Sequence, residues 1–152
     1  MAADKLNLTD TATLPLPAAT HWPVILCIDD DPEISRSIEL RLRPYRVQVL
    51  RAFHGMHGFW LAMTEHPDVI ITDINMPQGQ GDYIVECLKR NAETSDIPVY
   101  VLSGRRDESL KKRMRQLGVE DYLTKPCDAD ALLAAIEQFV ELEEVEFDEV
   151  TG

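Results

Sequence analysis

A chain of 152 residues with 45% hydrophobic content can bury the core of one globular domain and leaves little over for a second. Its formal charge of -12 at pH 7 argues against direct binding of nucleic acid, which is drawn to clustered Lys and Arg, and no apolar run approaches membrane-spanning length. Cys27, Cys87 and Cys127 are odd in number and lack metal-ligand spacing, and the N-terminus lacks the basic-then-apolar order of a secretory signal; both point to a reduced, cytoplasmic protein.

Residues 1–22 mix Thr, Ala, Asp and Pro without apolar periodicity, which predicts a mobile leader before a domain at 23–140. Val24 to Ile28 is the first apolar run, and it stops at Asp29-Asp30. Asp31 then caps a helix that starts with Pro32, runs through Ile34, Ile38 and Leu42, and ends at Pro44. A strand over Tyr45 to Ala52 and a helix over Met56 to Glu65 follow; His54 and His57, with no further ligands near them, read as surface residues. Val69 to Thr72 stops at Asp73, and a helix at Gly81 to Arg90 follows it. Val99 to Leu102 stops at Ser103; Leu110, Met114 and Leu117 mark a fourth helix closed by Gly118. Asp121 to Thr124 stops at Lys125-Pro126, and Asp128 is placed to cap a fifth helix carrying Leu132, Leu133, Ile136, Phe139 and Val140. The remainder, residues 141–152, is an acidic tail with six carboxylates between Glu141 and Glu149. Five strand–helix units predict a doubly wound α/β fold with a five-stranded parallel sheet and helices on both faces.

Ligands of such sheets bind beyond the carboxyl ends of the strands, where the runs above deliver their polar residues. Asp73 is the candidate nucleophile, because a carboxylate can take a phosphoryl group as an acyl phosphate. Asp29 and Asp30 beside it predict a divalent cation, and oxygen-only ligands favour Mg²⁺. Lys125 supplies a fixed positive charge for a phosphoryl oxygen, and Ser103 a hydroxyl with Gly104 leaving space beside it.

The spaced motifs Ile28-Asp29-Asp30-Asp31-Pro32, Asp73-Ile74-Asn75-Met76-Pro77 with Gly81, Leu102-Ser103-Gly104 and Tyr122-Leu123-Thr124-Lys125-Pro126 resemble those of the response-regulator receiver domains of two-component phosphorelays. The resemblance covers roughly residues 23 to 140 and implies the flavodoxin-like strand order 2-1-3-4-5. It implies that Asp73 is the phosphoacceptor and that Asp29, Asp30, Asp73 and the main-chain carbonyl of Asn75 hold Mg²⁺. Lys125 and Ser103 become phosphate partners, with Ser103 and Tyr122 as switch residues. Partners would be a histidine kinase or histidine phosphotransfer protein, and a downstream protein or second copy at the face of the fourth helix, fifth strand and fifth helix. The only catalysis implied is phosphoryl transfer to Asp73 and its loss. Asn75 and Arg105 match positions that influence phosphoryl lifetime, while Cys127 stands where the family usually carries Phe.

Other classes fit the residues less well. An aspartyl phosphatase resembling the haloacid dehalogenases needs Asp-x-Asp, but the second position here is Asn75. Gly79-Gln80-Gly81 lacks the third spaced glycine of a nucleotide loop. A receiver used as a scaffold, or as a piece of a larger signalling protein, remains the rival reading. Arg105, Arg106, Lys111, Lys112, Arg113 and Arg115 form a basic edge within the acidic chain, predicting a docking surface for the chain's own tail or for a second subunit.

Overall fold

The computed structural model describes residues 21–76, 81–105 and 107–146. Most of the expected leader, the end of the tail, Arg106 and the stretch Pro77 to Gln80 lie outside the described residues. Ten elements alternate: β1 Val24–Ile28, α1 Pro32–Leu42, β2 Gln48–Ala52, α2 Gly55–Glu65, β3 Val69–Thr72, α3 Gly81–Arg90, β4 Val99–Ser103, α4 Glu108–Leu117, β5 Asp121–Thr124 and α5 Ala129–Glu137. All strand pairs are parallel, in the order β2-β1-β3-β4-β5.

The strands are near-continuous apolar runs because both faces of the sheet are covered. Side chains alternate between those faces. Leu26, Ile28, Ile70, Val99 and Val101 pack on one side with Ala62, Ile84, Leu88 and Met114. Ile25, Cys27, Ile71, Tyr100 and Leu102 pack on the other with Ile38, Leu42, Leu132 and Ile136. Burial pushes the Cys27 thiol up to about 12, with the Asp29 charge adding to the rise, so it stays protonated and inert. Gly58 lets α2 lie close to the sheet: a Cβ there would come 2.5 Å from Ile28 Cδ1.

Helix ends follow local chemistry. Asp31 and Asp107 accept from the N–H groups of Glu33 and Leu110, and Gly118 closes α4 at φ 101°, where an L side chain is strained. Four details differ from expectation. β2 begins at Gln48 rather than Tyr45, because Tyr45 instead bridges Glu144. Asp128 occupies the cap position of α5 but makes no side-chain hydrogen bond there. Helix α5 stops at Glu137, leaving Phe139 45% exposed outside it. His54 does more than face solvent: its Nδ1 accepts from His57 N at 3.3 Å and caps α2.

Candidate phosphoacceptor site

The parallel register brings the ends of β1, β3, β4 and β5 to one rim. Asp29 follows β1 and Asp73 follows β3, and both are buried, whereas Asp30 is exposed. Backbone pairing sets them side by side, since Asp73 N donates to Ile28 O at 2.9 Å and Asp29 N to Ala52 O at 3.0 Å. Both carboxylates accept from the loop that follows them: Asp29 Oδ1 from Asp31 N at 2.9 Å, and Asp73 Oδ1 from Asn75 N at 3.0 Å.

Lys125 reaches across from the end of β5 to both acids. Its Nζ lies 2.8 Å from Asp29 Oδ2 and 3.3 Å from Asp73 Oδ2. Burial lowers the ammonium pKa, but the hydrogen bond and charge of Asp29, with Asp73, outweigh it and hold it above its ordinary 10.5. Burial pushes the Asp29 carboxyl up, against the pull of Lys125 and the Asp31 N–H, while the Asp73 charge raises it further. Lys125 N donates to Ser103 O at 3.0 Å, so β4 fixes the lysine's backbone, and the Lys125–Pro126 peptide is cis.

One carboxylate oxygen from each of Asp29, Asp30 and Asp73 can be chosen so that all lie within 4.8 Å of one another. Three negative charges face the single ammonium of Lys125, an imbalance that a hard divalent cation with oxygen ligands would correct. The donor set therefore fits Mg²⁺.

The fourth strand adds the buried Ser103, whose Oγ accepts from Arg105 N at 3.2 Å. Tyr122 is buried at 8% exposure, and its hydroxyl donates to Arg105 O at 2.8 Å. Both sides of Arg105 are thus held, one by each expected switch residue. Lys111 Nζ sits 5.6 Å from the centroid of the Tyr122 ring, within cation–π range. All the expected site residues, Asp29, Asp30, Asp73, Asn75, Ser103, Lys125 and Tyr122, therefore meet at this rim or beside it.

Other residues were not visible in the spacing. Arg51 on β2 donates from Nε to the buried Ser35 Oγ at 2.8 Å and from Nη2 to Pro32 O at 3.0 Å, pinning the first turn of α1 next to the acidic loop. Arg41 Nη1 donates to Cys127 O at 2.6 Å and ties α1 to the loop after Lys125. An arginine on a strand facing a helix start is the sole sequence hint of the first, and nothing marks the second.

The tail also departs from expectation. Arg46 N donates to Glu143 O at 2.8 Å and Val145 N to Pro44 O at 2.7 Å, so residues 143–145 lie against the α1–β2 connection. The basic edge on α4 lies near the opposite border of the sheet, and there Arg105 pairs with Asp107, Lys111 with Glu108 and Arg113 with Asp82.

Comparison with known proteins matches residues 25–137 to the family described as response regulator receiver domain. Protein PilH of Pseudomonas aeruginosa is 39% identical over 112 residues, covering 74% of this chain and 93% of PilH. Hybrid signal transduction histidine kinase D of Dictyostelium discoideum is 36% identical over 75% of this chain but only 7% of its own length. The transcriptional regulator RpaA of Synechocystis is 37% identical, and the matched segment spans 47% of it. Among solved structures, a Francisella response regulator receiver domain has 29% identity and a TM-score of 0.69, covering 76% of this chain and 94% of that one. Vibrio cholerae CheY4, at 23% identity and a TM-score of 0.73 over 79% of this chain and all of its own, shares the fold. The spaced acids, the lysine after the last strand and the 2-1-3-4-5 sheet have the same explanation as these likenesses: the chain belongs to the response regulator receiver domains of two-component signalling.

Proposed function

We propose that Asp73 accepts a phosphoryl group from a phosphohistidine of a histidine kinase or phosphotransfer protein, and that the modified receiver signals by binding another protein in the cytoplasm. The observation that carries this reading is the position of Lys125 Nζ, 3.3 Å from Asp73 Oδ2 and 2.8 Å from Asp29 Oδ2. A carboxylate oxygen of Asp73 attacks phosphorus as the P–N bond breaks, and the electron pair leaves with the imidazole. Lys125 shifts from its two carboxylates toward the developing charge on the phosphoryl oxygens, an electrostatic contribution from a group already in place. Asp29, Asp30, Asp73 and the Asn75 carbonyl would hold Mg²⁺, which when bound supplies charge neutralisation for the phosphoryl oxygens.

The switch follows from Arg105. Ser103 Oγ must give up the Arg105 N–H to turn toward a phosphoryl oxygen, and the carbonyl of the same residue, in the next peptide group, accepts from Tyr122. Movement at the phosphoryl group is thereby passed to the aromatic ring and to the α4–β5–α5 face. That face shifts in population, and a partner responds to the extent that it binds the two states differently. No other substrate is turned over; the chemistry is confined to gain and loss of the phosphoryl group. Among the described residues no helix is long and apolar enough to cross a membrane.

Acetyl phosphate with Mg²⁺ tests the assignment. Intact-mass spectra are expected to show one added phosphoryl group on the native chain and none on Asp73→Asn; equal incorporation in the variant would overturn the choice of Asp73.

A further inference from the structure

Two consecutive residues of β2 hold the acidic run at its two ends. The carbonyl of Ala52 accepts from Asp29 N at 3.0 Å, while the side chain of Arg51 reaches Pro32, two residues beyond Asp30. Arg51 Nη2 donates to Pro32 O at 3.0 Å and Nε to Ser35 Oγ at 2.8 Å, and the buried Ser35 hydroxyl donates in turn to Pro32 O at 3.3 Å. The rest of the guanidinium is fixed as well. Its Nη1 lies 3.9 Å from Glu39 Oε1, and its Cζ lies 5.3 Å from the centroid of the Phe53 ring, within cation–π range.

We propose that Arg51 is a positioning residue for the cation site, holding the run from Asp29 to Asp31 in the form that brings the Asp30 carboxylate to those of Asp29 and Asp73. The inference rests on the Mg²⁺ site proposed above. Asp30 is exposed and gains little placement from packing, yet its carboxylate comes within 4.8 Å of the other two. Fixed backbone on both sides accounts for that. Asp31 N donates to Asp29 Oδ1 at 2.9 Å, and Asp31 accepts from Glu33 N with its side chain and from Ile34 N with its carbonyl, so it is bound to the helical turn that Arg51 grips. Contacts therefore run from Arg51 through the first turn of α1 to the acids. Its charge acts in the opposite sense. The register sets Arg51 beside Cys27, two residues before Asp29, and a positive charge there repels a cation. Loss of the charge alone would tighten Mg²⁺ binding, whereas loss of the clamp weakens it.

That difference in sign is the test. Arg51→Met, which has neither the charge nor the fork of donors, is expected to weaken Mg²⁺ binding in calorimetric titration by about fivefold, less than the roughly 10-fold or more for partners that touch a ligand directly. Arg51→Lys keeps the charge without the fork and is expected to bind Mg²⁺ no better than Arg51→Met. Ser35→Ala is expected to weaken binding in the same direction, and all three variants are expected to shift the amide signals of Asp30 and Asp31 in the cation-free protein. Unchanged or tighter binding in Arg51→Met, beside a native chain that binds Mg²⁺, would overturn the clamp and leave the cation site standing. A native chain that binds no Mg²⁺ would overturn both. If Arg51→Met fails to fold, native affinity in both Arg51→Lys and Ser35→Ala would overturn the clamp.

Discussion

Two charged regions of this molecule have similar chemistry and opposite surroundings. At the rim, the side chains of Asp29 and Asp73 are only 4% and 5% exposed, and Lys125 is 22% exposed. At the α4 surface, Glu108 is 81% exposed, Arg113 55%, Asp82 of α3 35% and Lys111 22%, with pair distances of 3.5 to 3.6 Å. Water screens the α4 pairs, and flexible side chains lose entropy in holding them, so each contributes about 0 to 1 kcal/mol. At the rim the acids have lost water, and their repulsion can be met only by Lys125, a proton, a cation or a phosphoryl group. Like charges thus mark a reactive site where they are buried and merely decorate a surface where they are wet.

The largest expected contrast is in the rate of phosphorylation. Lys125→Ala removes the charge poised over Asp73 and is expected to slow phosphoryl incorporation from acetyl phosphate by about 100-fold, against less than twofold for Lys111→Ala. Equal effects in a quenched time course read by mass would erase the distinction between the two regions. Next comes the cation. Asp30→Asn removes one hard oxygen charge and is expected to weaken Mg²⁺ binding by about tenfold, roughly 1.4 kcal/mol. Calorimetric titration checks this, with Glu108→Gln as the control that should not change.

A smaller effect, with an informative sign, concerns Asp29. Its folded pKa lies above the ordinary 3.8, chiefly through burial, so ionising it opposes folding. The stability linked to its proton is fully present below the unfolded value and is lost as pH rises through the raised folded value. With divalent cations chelated at pH 7, the linkage predicts that Asp29→Asn is more stable than the native chain. The gap should close as pH falls through the raised pKa and when Mg²⁺ is restored; urea titrations across pH would reveal a gap of the wrong sign. The smallest expected effect is at Arg113, whose replacement by Ala should change stability by less than about 0.5 kcal/mol in the same titrations. A larger loss would mean that the bridge to Asp82 joins α3 and α4 more firmly than its exposure implies.

Local chemistry in the sequence determined much of this. Apolar runs ending at Asp29, Asp73, Ser103 and Lys125 mark strands whose ends meet at a rim, because a strand buried on both faces must be apolar throughout and change character where it reaches water. The cap at Asp31 and the stop at Gly118 were equally readable, since each acts within a few residues. Strand order came with the family likeness, since local periodicity carries no information about which strands become neighbours. Only the tertiary structure decided the contacts between distant residues: Lys125 shared by Asp29 and Asp73, Arg105 held between Ser103 and Tyr122, and Arg51 on Ser35. The tail shows the limit most clearly. Charge alone suggested the basic edge of α4, yet residues 143–145 lie at Pro44 to Arg46, where backbone hydrogen bonds and an apolar wall are available. Charge is long-ranged and unspecific, whereas hydrogen bonding and packing act only between groups that the fold has already brought together.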